Sequence, residues 1–206
     1  MKVLLVNGSP HEFGCTYTAL AETAKALNEN GVETEIIWLG KQALEGCRGC
    51  GACRKLWKCV IEDCVNEFME KAAVADGFVF GSPVHYASAG GALVSFMDRL
   101  FYSSSRKLAY KPAACVVSCR RGGATATFDV LNKYFTINNM PVVSSNYWNE
   151  IHGNTAEEAM QDIEGIQTMR VLGNNMAWLL KCIEAGKAAG IEPQKEKKVL
   201  TNFIRP

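Results

Sequence analysis

The chain has no long apolar run. Nothing in its 206 residues approaches the ~20 consecutive apolar residues that span a bilayer, so no membrane role is expected. It also has no charge excess: 22 Lys and Arg against 21 Asp and Glu leave a formal +1. That balance gives no bulk reason to expect nucleic acid or a membrane surface as partner. No internal repeat and no low-complexity stretch is present. Met1-Lys2-Val3 leads straight into a strand pattern, and no signal peptide is expected. Two glycine signatures are missing. A P-loop needs Gly-x-x-x-x-Gly-Lys-Ser/Thr; here Gly8 and Gly14 lie one residue too far apart, and Cys15 stands where the lysine belongs. A dinucleotide loop needs Gly-x-Gly-x-x-Gly, and residues 7–16 hold only two glycines. No Ser-His-Asp set and no carboxylate pair stands out, so no side chain is assigned as a general acid or base.

What is present is a clean alternation of strand and helix patterns. Apolar residues make up 48% of the chain, ample for one core. The length suits a single domain, residues 1–206. Lys2 to Val6 is an unbroken apolar run, as in a strand buried on both faces. Further strands are expected at Glu33–Leu39, Gly77–Gly81, Ala113–Ser118 and Pro141–Ser145. Helices are expected at about 16–30, 65–74, 91–101 and 125–138. A last helical stretch runs from Thr155 to about Gly190, with a break near Gly173. Lys195 to Lys198 reads as a solvated tail. The expected fold is α/β: a doubly wound, five-stranded parallel sheet with helices on both faces.

In such a sheet the ligand lies beyond the carboxyl ends of the strands. Three loops meet there. The first carries Ser9, His11, Cys15, Thr16, Tyr17 and Thr18 at a strand-to-helix turn. Free N–H groups and the helix dipole favour an anion at such a turn. It has hydroxyls but no lysine or arginine, which suits a phosphate monoester held by neutral donors; the competing reading is plain helix capping. The second loop holds Pro83, Val84, His85 and Tyr86, a flat aromatic set. The third holds Ser118, Arg120, Arg121, Gly122 and Gly123. A phosphate at the first loop and a planar ring between the other two account for all three.

Nine cysteines remain. The odd count fits a disulfide framework poorly, and a reducing, cytoplasmic setting is expected. Five of them fall in an insertion at about 45–64. Cys47, Cys50, Cys53 and Cys59 are spaced C-x2-C-x2-C-x5-C. Thiolates at such intervals can wrap a cubic [4Fe–4S] cluster. Four thiolates are also a zinc set, and unligated thiols are the third reading. Cys64 is expected to be a spare or packing thiol.

Four pieces carry a resemblance. They are Gly8-Ser9-Pro10 with Gly14-Cys15-Thr16; Gly81-Ser82-Pro83-Val84-His85-Tyr86 with Phe96-Met97-Asp98-Arg99; the cysteine segment; and Arg120-Arg121-Gly122-Gly123. Together they resemble the flavodoxin-like NAD(P)H-dependent FMN reductases, and within them the iron–sulfur flavoproteins. The chain departs from the common family residues at His11 and Cys15. The resemblance implies bound FMN, its phosphate in the first loop and its ring against the other two. It also implies NAD(P)H as co-substrate, passing a hydride through FMN to a flavin, quinone or similar acceptor. The alternative is an electron carrier between a [4Fe–4S] cluster and FMN, served by a ferredoxin-like donor. A homodimer or homotetramer is expected.

Overall fold

The computed structural model describes residues 1–197, 199 and 201. Strand β1 (Lys2–Asn7) lies between β2 (Glu33–Trp38) and β3 (Gly77–His85), parallel to both. β3 is followed outward by β5 (Ala113–Cys119) and then β6 (Glu150–His152), again parallel. The order is β2-β1-β3-β5-β6, and a two-residue strand β4 (Ser88–Ala89) pairs antiparallel with the end of β3. The strand order reverses between β1 and β3. Loops leaving their carboxyl ends open there into a crevice.

Alternation along the strands builds one core on each face. Leu4 and Val6, Phe78 and Phe80, and Cys115 and Val117 point to one side. There they meet α3 (Cys64–Val74), α4 (Gly91–Leu108) and α5 (Ala124–Thr136). Val3 and Leu5, Val79, and Ala114 and Val116 point to the other. They meet α1 (Cys15–Glu29), α6 (Ala156–Gln161) and α7 (Ile163–Ala188). Side chains such as Phe78, Phe80 and Phe96 are fully buried, each worth about 2–3 kcal/mol in apolar burial. A one-turn helix, α2 (Cys53–Leu56), sits in the cysteine segment.

Three expectations need correction. The fifth parallel strand is Glu150–His152, not Pro141–Ser145. Residues 141–143 make a single bridge, Ala113 to Val142, at the amino end of β5. The chain then swings out, and the buried Asn149 spans the gap. Its side chain donates to the Cys115 carbonyl at 3.1 Å, and its own carbonyl accepts from Val117 N at 2.9 Å. The last helical stretch breaks at Asp162, which caps α7 through Gly165 N, while Gly173 lies inside continuous helix. A Cβ at Gly173 would stand 2.6 Å from the Thr23 carbonyl, so this glycine serves close packing of α7 on α1. The third strand runs on through Pro83 to His85, because Ser82 and Pro83 stay in register with Val117 and Ser118. Lys195 is exposed as expected, and Lys198 lies outside the described residues. No described helix is long and apolar enough to cross a membrane.

Candidate functional site

The crevice at the carboxyl edge is a cleft of about 590 Å³. Of the expected residues, Ser9, His11, Cys15, Thr16, Pro83, Val84, Ser118 and Arg120 line it. The loop after β1 is held open by Asn7, a fully buried residue that sequence reasoning passed over. Asn7 Oδ1 accepts from Ser9 N at 3.0 Å, and Asn7 Nδ2 donates to the Glu12 carbonyl at 2.9 Å. Trp38 Nε1 donates to the Ser9 carbonyl at 2.8 Å. Ser9 Oγ accepts from His11 N, which leaves the hydroxyl proton free to donate. Thr16 Oγ1 and Ser118 Oγ share a bond of 2.8 Å across the cleft floor.

Helix α1 begins at this loop without a side-chain cap, its N-cap being Gly14. By contrast α3, α6 and α7 are capped by Asp63, Thr155 and Asp162. The first-turn N–H groups of α1 therefore have no side-chain acceptor and lie at the cleft, where the dipole favours an anion. Lys41 also lines the cleft, delivered by the segment after β2. Arg120 lines the cleft as expected, and Lys41 adds a cation beside the hydroxyl-bearing first loop, with Glu12 as an acid. Topology was the signal for Lys41, since any residue just after β2 reaches the same sheet edge.

Seven expected residues do not line the cleft. Thr18 is buried, and its hydroxyl donates to the Gly14 carbonyl. Tyr17 packs edge-on against Phe13. His85 and Tyr86 are lifted off by the β3–β4 hairpin, with Tyr86 at its tip at φ 66 and fully exposed. Arg121 and Gly122 are exposed beyond the cleft. Gly123 N-caps α5 at φ 91, and a Cβ there would meet Val84 Cγ1 at 2.9 Å. Its glycine identity thus serves the packing of the cleft wall.

Two cysteines border the cleft. Cys15 Sγ donates to the Thr155 and Gly153 carbonyls at 3.1 and 3.4 Å, tying α1 to the loop before α6. Burial raises the Cys15 and Cys119 thiols above their ordinary pKa, which suits structural thiols.

A second cavity, of about 540 Å³, is bordered by all four expected ligands, Cys47, Cys50, Cys53 and Cys59. Its far wall is α4, through Asp98, Arg99, Tyr102 and Ser103. Among the described residues no three donors converge on a point suited to a single metal ion. The four thiols instead border a space large enough for a group of several atoms. Cys64 is not in this wall and packs against the core, as expected. Cys59 is fixed by Asn66, which accepts from its N–H and donates to its carbonyl, both at 3.0 Å.

Arg99 organises this segment. It is 2% exposed. All five of its N–H donors are used: two bonds to Asp63, and one each to the Glu45 carbonyl, the Ile61 carbonyl and Cys59 Sγ. Burial opposes both charges of the pair. The mutual hydrogen bonds outweigh it, raising the Arg99 pKa and lowering that of Asp63. The sequence signal was a charged residue on the apolar face of α4, between Phe96 and Leu100.

The fold defines a flavodoxin-like α/β protein with a cleft at the switch point in strand order. Solved structures agree on the fold. RosB, crystallised with a bound formylated riboflavin phosphate, superposes with a TM-score of 0.71 at 16% identity, covering 100% of this chain and 93% of that one. A flavodoxin from the domain Archaea gives 0.61 at 15% identity, covering 88% and 99%. An iron–sulfur flavoprotein of Methanocaldococcus jannaschii is 33% identical over 195 residues, covering 89% of this chain and all of that one. An iron–sulfur flavoprotein of Methanosarcina thermophila is 28% identical over 192 residues, covering 91% and 99%. Residues 1–155 match the NADPH-dependent FMN reductase family. The chain belongs to that family, in its iron–sulfur flavoprotein branch. It is a flavoprotein oxidoreductase.

Proposed function

We propose that the protein is a two-centre electron-transfer flavoprotein, with FMN in the 590 Å³ cleft and a [4Fe–4S] cluster in the cysteine cavity. The observation that carries this reading is the gathering of Cys47, Cys50, Cys53 and Cys59 around one cavity, with an arginine N–H on the Cys59 sulfur. FMN supplies hydride or single-electron exchange and the cluster supplies single-electron exchange. The chain's own residues supply binding and orientation. Ser9, Thr16 and the open first turn of α1 receive the phosphate, aided by Lys41. Pro83, Val84, Ser118 and Arg120 border the ring, and Arg120 offers positive charge to its polar edge.

Helix α4 walls the cysteine cavity, and its start is tied to the strands that lead into the cleft. Gly90, which precedes it, is joined through Ser82 to the cleft strands, with Gly90 N donating to Ser82 Oγ at 2.9 Å. Arg99 holds Cys59 further along. Eight residues from Gly91 to Arg99 span about 12 Å of helix between that tie and the cysteine cavity. Assembly as a homodimer or homotetramer belongs to the same proposal, supported by the exposed Tyr86, Tyr147 and Trp148.

The test is metal and spectral analysis after anaerobic reconstitution. About four iron and four sulfide per chain, with flavin bands, are the expected result. Stoichiometric zinc without sulfide, or no metal, sinks the cluster half of the reading while leaving the flavin half to its own bands.

A second reading, hydride transfer from NAD(P)H to FMN and on to a flavin or quinone, is favoured by the match to the NADPH-dependent FMN reductase family over residues 1–155. Anaerobic mixing decides it. Bleaching of bound flavin by NADPH or NADH within turnover times supports it, and reduction by a one-electron donor alone excludes it.

A further inference from the structure

The cysteine cavity has an outer neighbour that neither centre uses. A groove of about 340 Å³ lies between α2 and the carboxyl-terminal part of α4. Cys53 lines both spaces, so the groove ends on a wall of the cysteine cavity. Cys53 Sγ also donates to the Tyr102 carbonyl at 3.7 Å. The groove's rim is aromatic and exposed: Trp57 is 50% and Tyr102 71% exposed, and Leu56 beside them is 54% exposed. Trp57 is held at φ 58, an uncommon conformation for a bulky residue. The Arg106 guanidinium stacks on its ring at 4.5 Å. Helix α4 departs from helical geometry at Ser104, where the Ser103 and Ser104 hydroxyls donate back to the Arg99 and Leu100 carbonyls.

The charge on this rim is one-sided. Arg54, Lys55, Arg106 and Lys107 are exposed, and none forms an ion pair among the described residues. The nearby acids are already engaged. Glu45 pairs with Arg48, Glu62 with Lys58 and Asp63 with Arg99, and Asp98 accepts from Tyr134. On a chain of formal charge +1, this leaves a local field of four uncompensated cations around an apolar centre. An apolar core with a charged rim is the anatomy of a docking surface, and the charge steers encounter with a partner of opposite sign.

We propose that this groove is the docking surface for an acidic protein that carries single electrons, seated so that its redox group faces Cys53. The inference rests on the reading of Cys53 as a cluster ligand. A second copy of the chain is disfavoured as occupant. A two-fold contact centred here sets the same patch against itself and brings cation against cation.

Calorimetry with a purified acidic [2Fe–2S] ferredoxin as probe tests it, on the reconstituted chain and on the chain without cluster. Saturable binding at low salt is expected, weakened about tenfold or more in Arg54→Glu/Arg106→Glu and by added salt. Lys25→Glu, an exposed charge reversal on α1, serves as control and leaves binding unchanged. Binding that persists when no iron or sulfide is incorporated supports the surface while the cluster reading fails. Equal binding by wild type and the double variant overturns the proposal. So does self-association of the chain that the double variant abolishes, and so does binding of inorganic phosphate without binding of ferredoxin. On the cluster-loaded chain, the double variant slows reduction by ferredoxin about tenfold and leaves reduction by a small viologen donor unchanged. Equal slowing of both donors also overturns it.

Discussion

Arg99 and Asp63 form a two-pronged ion pair at the base of the cysteine segment, with Nη1 to Oδ2 at 2.6 Å and Nη2 to Oδ1 at 2.8 Å. Arg99 comes from α4 and Asp63 is the N-cap of α3, where it accepts from Val65 N. One guanidinium thus fastens a helix start, two loop carbonyls and a cysteine sulfur. The segment from Glu45 to Asp63 is anchored at both ends by one side chain. This explains how a loop with few buried apolar residues keeps a defined path.

Breaking that pair leaves Asp63 and two carbonyls without their donor. Arg99→Met is expected to cost about 3 kcal/mol or more, because a partly buried charge loses its partner. Arg99→Lys keeps the charge but not the fork, and is expected to lose most of the same stability. Urea unfolding of the reduced, metal-free chain measures both. A shift below about 1 kcal/mol for Arg99→Met is incompatible with the clamp.

Cys64 and Cys50 are predicted to behave differently, although both lie in the cysteine-rich segment. Cys64 packs on the core, and burial raises its thiol pKa; Cys50 is exposed in the cavity wall. After anaerobic reconstitution, Cys50→Ser should lose iron and sulfide and Cys64→Ala should retain both. Cys64→Ala should lower stability by about 1 kcal/mol through lost packing. Equal metal loss in the two variants contradicts the assignment of Cys64.

The α/β alternation, the parallel sheet and the cysteine set were legible because each has a short-range pattern: apolar runs, helical spacing and fixed intervals. The last strand was not. Val142 and Val143 have strand composition, but Pro141 lacks an N–H and the ladder is resumed only by Asn149, whose side chain bridges the gap. The loop after β1 was legible as a strand-to-helix turn at the sheet edge; its support by Trp38 was not, because that bond crosses from β2, while Asn7 acts locally on Ser9 and Glu12. His85 and Tyr86 stand off the cleft because a two-strand hairpin, not a loop, follows Pro83. Arg99 stood in a quoted motif without a role, since nothing local reveals that Asp63, 36 positions away, is its partner.

At the sheet edge, Glu35 lies between Lys2 and Lys71. Hydrogen bonds to Lys71 and then Lys2 hold its folded-state carboxyl below the ordinary carboxylate range. A depressed folded pKa contributes stability that is present above the unfolded pKa and lost as pH falls through the folded one. Glu35→Gln should therefore reduce stability at neutral pH by up to about 1 kcal/mol, a figure limited by solvent screening. The difference from wild type should vanish in acid, below the ordinary carboxylate range. A difference that grows as pH falls has the wrong sign for this account.

Asn7 shapes the loop in which the FMN phosphate is proposed to sit. Its side chain fixes Ser9 N and the Glu12 carbonyl, and it is fully buried at the end of β1. Asn7→Ala removes both bonds and leaves the buried Ser9 N–H without an acceptor, at about 1–3 kcal/mol of stability. The same change frees residues 9–14 to wander, so the anion must order them on binding. FMN affinity should then fall by about tenfold or more, for a loss of roughly 1.4 kcal/mol. Ser9→Ala, which removes one donor but leaves Asn7 in place, should weaken FMN binding less and leave stability nearly unchanged. Calorimetric titration of the flavin-free chain separates the two effects. If Asn7→Ala unfolds more easily yet binds FMN as tightly as wild type, the loop after β1 supports the fold without holding the phosphate.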